Sequence, residues 1–311
     1  MREITVLSGG MGGAKFLTGL RHAVRGHLLP GVDPDATITV IANTADDWWV
    51  HGLKICPDLD TVMYTLGDGI DPDRGWGRRQ ESWAVLEELK EYGVEPTWFG
   101  LGDRDIATHL VRTQMLEAGF PLSRVTEALC KRWQPGVRLL PMSDDRVETH
   151  VAIADPDSPS GRKVIHFEEY WVRLRASVPA EQVVVVGLEQ STPAPGVVEA
   201  LTGADLVIVP PSNPVVSVGT ILGVPGIREA LLDTDAPVLG LSPSSVTCTC
   251  RAWPSRCSPP SGSTSRRRAW RATTVREAAV ACSTDGSSMR GMPTTSPRCR
   301  SSGSGVPPYR S

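Results

Sequence analysis

The residues able to do chemistry in this chain lie in short runs that follow apolar stretches. The first is Ser8-Gly-Gly-Met-Gly-Gly-Ala-Lys15. Gly9, Gly10, Gly12 and Gly13, set between a strand and a helix, let backbone N–H groups approach a phosphate, whose charge the helix start favours. Lys15 adds a cation. The spacing is neither that of a P-loop nor that of the dinucleotide fingerprint, which would need glycine where Lys15 stands. The alternative is a plain tight turn between strand and helix. The second run, Asn43-Thr-Ala-Asp46-Asp47, is followed closely by Pro57-Asp58-Leu-Asp60. Two acidic loops so close in sequence form an oxygen-ligand set suited to Mg²⁺ or to orienting a hydroxyl. Asp46, Asp47 and Asp60 are the candidates for metal and catalysis, and Asp58 reads as a helix cap.

Gly102-Asp-Arg104-Asp opens a further helix. A cation at a helix start opposes the dipole, so Arg104 grips either a phosphate or carboxylate of a substrate, or Asp103 or Asp105 beside it. His109, on the same helix, reads as a core histidine. Pro141-Met-Ser-Asp144-Asp145 repeats the strand-then-acid pattern. Ser212 and Asn213, behind paired prolines, have the groups to meet a nucleobase or ribose. Trp48, Trp49 and Trp76 either stack on a flat heterocycle or fill the core.

The elements that would carry these loops alternate in type. Strands are expected at 3–7, 37–42, 137–140, 147–153, 163–167, 182–187, 206–209 and 237–241. The runs Ile38–Ile41 and Val183–Val186 are continuously apolar or β-branched, the pattern of strands covered on both faces. Helices are expected over Glu81–Tyr92, from a cap at Asp103 to Gly119, and from Pro225 to Leu232. The expected fold is α/β, a doubly wound, mainly parallel Rossmann-like sheet with ligands beyond the carboxyl ends of its strands.

Charge divides the chain. From Ser244 onward there are eleven Arg, no Lys and two acids, a net of +9; the residues before carry −12, and the whole chain −3. The acidic body argues against a nucleic-acid partner. Five of seven cysteines fall in the same last stretch, which has no Leu, Ile or Phe. Two isolated cysteines in the body fit a reducing compartment, and neither a signal peptide nor a stretch of about 20 apolar residues is present, so a cytoplasmic location is expected, without a membrane partner. The domain expectation is one folded body over 1–243 and a disordered tail over 244–311.

Taken in order, Ser8–Lys15, Asn-Thr-Ala-Asp-Asp, Pro-Asp-Leu-Asp-Thr, Gly-Asp-Arg-Asp-x-Ala-Thr-His, Met-Ser-Asp-Asp and Pro-Ser-Asn-Pro-Val-Val-Ser resemble the 2-phospho-L-lactate transferase family, especially its actinobacterial phosphoenolpyruvate transferase branch. The likeness covers residues 1 to about 243. It implies transfer of a lactyl- or enolpyruvyl-bearing phosphoryl group from a guanosine diphosphate-linked donor to the ribityl hydroxyl of the deazaflavin Fo, releasing GMP with the help of Mg²⁺, in coenzyme F420 biosynthesis. In that reading Asp46, Asp47 and Asp60 hold the metal or the hydroxyl. Arg104 and the Gly9–Gly13 turn, with Lys15 and Asn43, hold phosphate and donor, while Ser212 and Asn213 lie near guanosine; the family also implies a homodimer. A rival resemblance, to gluconeogenesis-factor-like proteins, shares the glycine-rich start and Pro-Ser-Asn-Pro but implies a regulator that binds nucleotide sugars.

The family continues after Ser-Pro243 with Ile-Ile-Gly, which this chain lacks. Back-translating from one base upstream of each codon, Ser244–Val246 allows Ile-Ile-Gly, and Cys282–Ser288 allows Leu-Leu-Asp-Gly-Trp-Leu-Val. In the same frame Ala272–Glu277 allows His-Tyr-Gly-Ala-Arg-Gly, and Met289–Thr295 allows Ala-Gly-His-Ala-Asp-Asp. One shift serving four places predicts that the chain is read out of frame after Pro243.

Overall fold

The computed structural model describes residues 1–241. In chain order the elements are β1 (Glu3–Ser8), α1 (Met11–Arg25), β2 (Thr37–Ala42), β3 (Trp48–Val50), β4 (Leu53–Ile55), α2 (Pro57–Leu66), α3 (Ala84–Glu91), α4 (Asp103–Glu117) and α5 (Leu122–Trp133). They continue as β5 (Arg138–Pro141), β6 (Glu148–Ala154), β7 (Arg162–His166), β8 (Ala180–Val186), α6 (Val197–Thr202), β9 (Leu206–Val209), α7 (Val218–Gly223), α8 (Ile227–Asp233) and β10 (Val238–Gly240). The tail expected over 244–311, and with it the boundary at 243, lies outside the described residues.

Five strands form a sheet in the order β10-β9-β1-β2-β5, every pair parallel. Successive side chains of a strand point to opposite faces, and the residues are chosen accordingly. Ile4 and Val6 join the core under α1, α2 and α5, while Leu7 joins the core under α6, α7 and α8. Helices thus cover both faces, which is the doubly wound fold expected. α1 supplies Leu17, Leu20 and Val24 to its core; burying such a side chain contributes about 1.5–3 kcal/mol. α2 begins with Pro57 at its first position and carries Asp58 and Asp60 in the first turn, where the dipole favours acids.

The remaining strands depart from the expectation. β7-β6-β8 form a separate antiparallel sheet, and β3–β4 a small hairpin. Val183–Val186 is therefore not a strand covered on both faces: Val184 and Val186 are 37% and 54% exposed. Its β-branched run reflects strand propensity rather than burial. Two helix starts also differ. Asp103 is not the cap of α4 but its first residue, and its carboxylate accepts from Ala84 N, Val85 N and Ser82 Oγ at 2.7–3.1 Å, capping α3. α8 starts at Ile227 rather than Pro225, after Gly226 at φ +97°, where Glu229 accepts from the Gly226 N–H. Among the described residues no helix is long and apolar enough to cross a membrane.

Candidate active site

The chain order reverses beside β1. It runs outward through β2 to β5, then returns to place β9 on the other side of β1. At such a switch point the loops leaving two neighbouring strands part and open a crevice. Here those loops are the glycine turn and Pro210–Asn213. The Gly9 N–H donates to Ser212 Oγ at 3.3 Å. None of Gly9, Gly10, Gly12 or Gly13 has a positive φ, so glycine is required by close approach. A methyl group on Gly10 would strike the Asp58 carboxylate, and one on Gly12 would strike the Pro211 carbonyl oxygen. Lys15, one turn into α1, is exposed.

Asn43 leaves β2 fully buried and ties the crevice together. Its Nδ2 donates to Asp46 Oδ2 and to Asp58 Oδ2, both at 3.0 Å, while its Oδ1 accepts from Ala45 N and from Thr220 Oγ1 of α7. Asp46 and Asp47 are 5% and 1% exposed. Asp46 Oδ1 and both Asp47 oxygens have no hydrogen-bond partner among the described residues. Loss of water raises the Asp46 carboxyl well above its usual range, with repulsion from Asp58 and Glu168 adding to it. Burial also raises Asp47, against the pull of Lys54. Asp58 is pushed up to about 7, chiefly by burial, although the Asn43 hydrogen bond opposes this.

Two of these acids escaped the sequence reading. Asp58 is not the helix cap expected, since Cys56 holds that position and Asp58 is the second residue of α2; it is half of the pair bridged by Asn43. Glu168 follows β7, is buried, and is pushed up to about 8 by desolvation and by the charges of Asp58 and Asp47. Its backbone N–H donates to His166 Nδ1 at 3.1 Å, and burial lowers that histidine to about 4. The imidazole is therefore neutral with its proton on Nε2. A local signal existed for Asp58, which stands two residues before Asp60 in the same helical turn. None existed for Glu168, which a separate sheet brings to the crevice.

Asp60 lies in the same buried region with its carboxylate engaged: Arg112 places one guanidinium nitrogen on each oxygen. Metal ligation by Asp60 would require it to leave that pair. Arg112, 1% exposed, also donates to the Lys54 carbonyl at 3.3 Å, and Lys54 Nζ stands 3.5 Å from Asp47 Oδ2. His109 is buried beside Arg112, as a core histidine should be.

The other candidates are spread around this centre. Arg104 is exposed on the first turn of α4. Neither neighbouring acid claims it, since Asp103 caps α3 and Asp105 accepts from Tyr64 Oη at 2.6 Å. Asn213 spends its Oδ1 on Val215 N and Val216 N, shaping the turn into α7. Asp144 accepts from Ser123 at the start of α5, and Asp145 from Thr192, so both are structural. Trp48 stacks between Trp98 and His166 at centroid distances of 5.3 and 5.5 Å, a core role. Trp49 and Trp76 are exposed, with Arg74 lying 5.0 Å over the Trp76 ring.

A divalent cation fits this donor set. Hard carboxylate oxygens converge, several lack partners, and their mutual repulsion would be relieved by a positive ion. Among the described residues no three side chains already form a ligand cluster. Mg²⁺ tolerates this, because it commonly binds one or two carboxylates and completes its octahedron with water and substrate phosphate.

Comparison with known proteins places the crevice in a lineage. The family described as 2-phospho-L-lactate transferase CofD matches residues 4–248. The phosphoenolpyruvate transferase of Streptomyces coelicolor is 66% identical over 241 residues, 78% of this chain and 72% of that protein. The enzyme of the same name from Mycolicibacterium smegmatis is 61% identical over 241 residues, 78% and 73% of the two chains. A solved Bacillus halodurans protein of the UPF0052 family shares the fold, with a TM-score of 0.51 at 21% identity over 77% of this chain and 68% of that one. Every element of the crevice lies inside the matched span, and on that match this chain belongs to the 2-phospho-L-lactate transferase family.

Proposed function

We propose that the chain transfers a phosphoenolpyruvyl group, or in the lactyl case 2-phospho-L-lactyl, from a guanosine diphosphate-linked donor to the ribityl hydroxyl of Fo, in the cytoplasm, as a homodimer. The names of its relatives favour the enolpyruvyl donor. The hydroxyl oxygen forms a bond to the phosphorus bearing the enolpyruvyl group, the bond from that phosphorus to the GMP phosphate oxygen breaks, GMP leaves, and the hydroxyl proton is lost. Such transfers depend mostly on positioning and on neutralising charge.

The observation carrying this reading is the Asn43 bridge between Asp46 and Asp58 at the mouth of the glycine turn. It brings carboxylates to the place where a diphosphate would meet backbone N–H groups. One or two of the carboxylates of Asp46, Asp47 and Asp58 would hold Mg²⁺, which would supply charge neutralisation to the diphosphate and polarise its phosphoryl oxygens. Gly9–Gly13 would cradle the diphosphate, with Lys15 and Arg104 at the exposed rim. Ser212 holds the donor loop against the glycine turn, and Asn213 shapes it. Asp60 keeps Arg112 in place. We also propose that residues after about Pro243 are not transferase sequence; the family match ends at residue 248, and the relatives match over 241–245 of the 311 residues.

The test is to combine the protein, and a frame-corrected form of it, with donor, Mg²⁺ and Fo, and to follow GMP. Release that requires Fo supports the transferase. Nucleotide-sugar binding without turnover by the corrected form overturns it in favour of a regulator.

A further inference from the structure

Lys54, in the centre of β4, is 8% exposed. Helix α4 grips its backbone from both sides. Thr113 Oγ1 accepts from the Lys54 N–H at 2.9 Å, and Arg112 Nη1 donates to the Lys54 carbonyl at 3.3 Å. Arg112 is itself fixed, by Asp60 and by His109 Nδ1 at 3.0 Å. An arginine can only donate, so Nδ1 is the acceptor and the His109 proton sits on Nε2, 3.4 Å from Asp105. A rigid chain of contacts therefore ends in one ammonium, 3.5 Å from Asp47 Oδ2.

That separation is too long for a normal hydrogen bond, and both Asp47 oxygens are without one. The contact is a charge interaction. Asp46, Asp47, Asp58 and Glu168 bring four acids together, and the other buried cation close by, Arg112, is matched by Asp60. We infer that Lys54 is the resident cation of the carboxylate cluster: it orients Asp47 and, by repulsion, sets how tightly the cluster takes a divalent ion. This rests on the reading of the cluster as a Mg²⁺ site. A lysine that merely supported the hairpin would loosen the site when removed and weaken metal binding. A resident cation does the opposite, because its loss removes a like charge that repels the incoming divalent ion.

The experiment uses the full chain with Lys54→Met, which keeps the stem, and Lys54→Arg, which keeps the charge. Mg²⁺ affinity is measured by isothermal titration at one pH and low salt, beside metal-free melting curves. Lys54→Met is expected to bind Mg²⁺ about tenfold more tightly, as loss of one nearby like charge implies, and Lys54→Arg within about twofold of the parent. Unchanged or weaker binding by Lys54→Met, with saturable binding by the parent, overturns this inference alone. No saturable binding by the parent overturns the metal reading, and the inference with it. If the Met variant does not fold, Lys54→Gln carries the same comparison. In active, frame-corrected protein the same substitution lowers kcat while the Fo KM stays near parental, because Asp47 is no longer held.

Discussion

The side-chain amide of Asn43 reaches Asp58 at 3.0 Å and so ties the loop after β2 to the first turn of α2. The same nitrogen holds Asp46. Asn43→Ala frees two carboxylates that already repel each other. Turnover is expected to fall about 100-fold, the scale of a misplaced reacting geometry. Steady-state GMP release, with melting curves to show that the variant folds, checks this.

Gly10 tests the close packing of the glycine turn against Asp58. A Cβ at Gly10 would meet the Asp58 carboxylate, so Gly10→Ala acts on that close approach. Turnover should drop about tenfold or more with little change in melting temperature. Gly19, with nothing near its Cβ position, is the control. Gly19→Ala should stabilise α1 by about 0.5–1 kcal/mol and leave turnover intact.

Glu168 predicts a pH dependence of stability. Its carboxyl rises from 4.5 to about 8 on folding, so the native state keeps a proton that the unfolded chain releases. The unfolded state binds fewer protons across that window, and stability falls as pH rises through it. Asp58, raised from 3.8 to about 7, acts with the same sign. In chelator, the melting temperature should decline between about pH 5 and 8, and Glu168→Gln should flatten the decline. A rising profile would contradict the buried cluster.

Arg112 and Asp60 should behave as a unit. Arg112→Met leaves a buried carboxylate unpaired, at a cost of about 3–5 kcal/mol. Adding Asp60→Leu should restore much of that stability, since an apolar pair of similar volume is often tolerated. Denaturant unfolding of both variants measures the difference. If the double variant also loses Mg²⁺ binding, Asp60 contributes to the metal despite its engagement with Arg112.

Resequencing the DNA around the Pro243 codon should reveal a shift of frame. The described edge already shows what is at stake: Leu232, Leu239 and Leu241 are 55%, 44% and 36% exposed. Apolar area removed from water contributes about 25 cal/mol per Å², so a corrected chain that covers such residues should melt higher and express more solubly. A confirmed, uninterrupted frame would refute the shift.

The main sheet was legible because β1, β2, β5 and β9 are short apolar runs ending in the glycine, acidic and Pro-Ser-Asn loops. Strand-to-loop transitions of this kind reveal both the fold and the edge where chemistry sits. Asn43, Asp46 and Asp47 emerged for that reason. Asp58 was hidden because an acid after Pro57 is already explained by the helix dipole, and Asp60 looked free because Arg112 is 52 residues away. Val183–Val186 misled because a β-branched run marks a strand without saying which sheet it joins. Glu168 depends on the docking of β6–β8, a tertiary fact with no local pattern behind it.

Gly9 and Ser212 meet across 203 positions of chain, and β1 cannot sit mid-sheet until β9 pairs with it. During translation the first strand must wait, its far edge uncovered, until most of the protein has left the ribosome. Contacts so distant in sequence slow folding and prolong exposure of an unpaired edge. Nascent chains halted before Ser212 would therefore lack the crevice beside the glycine turn and present a sticky strand instead.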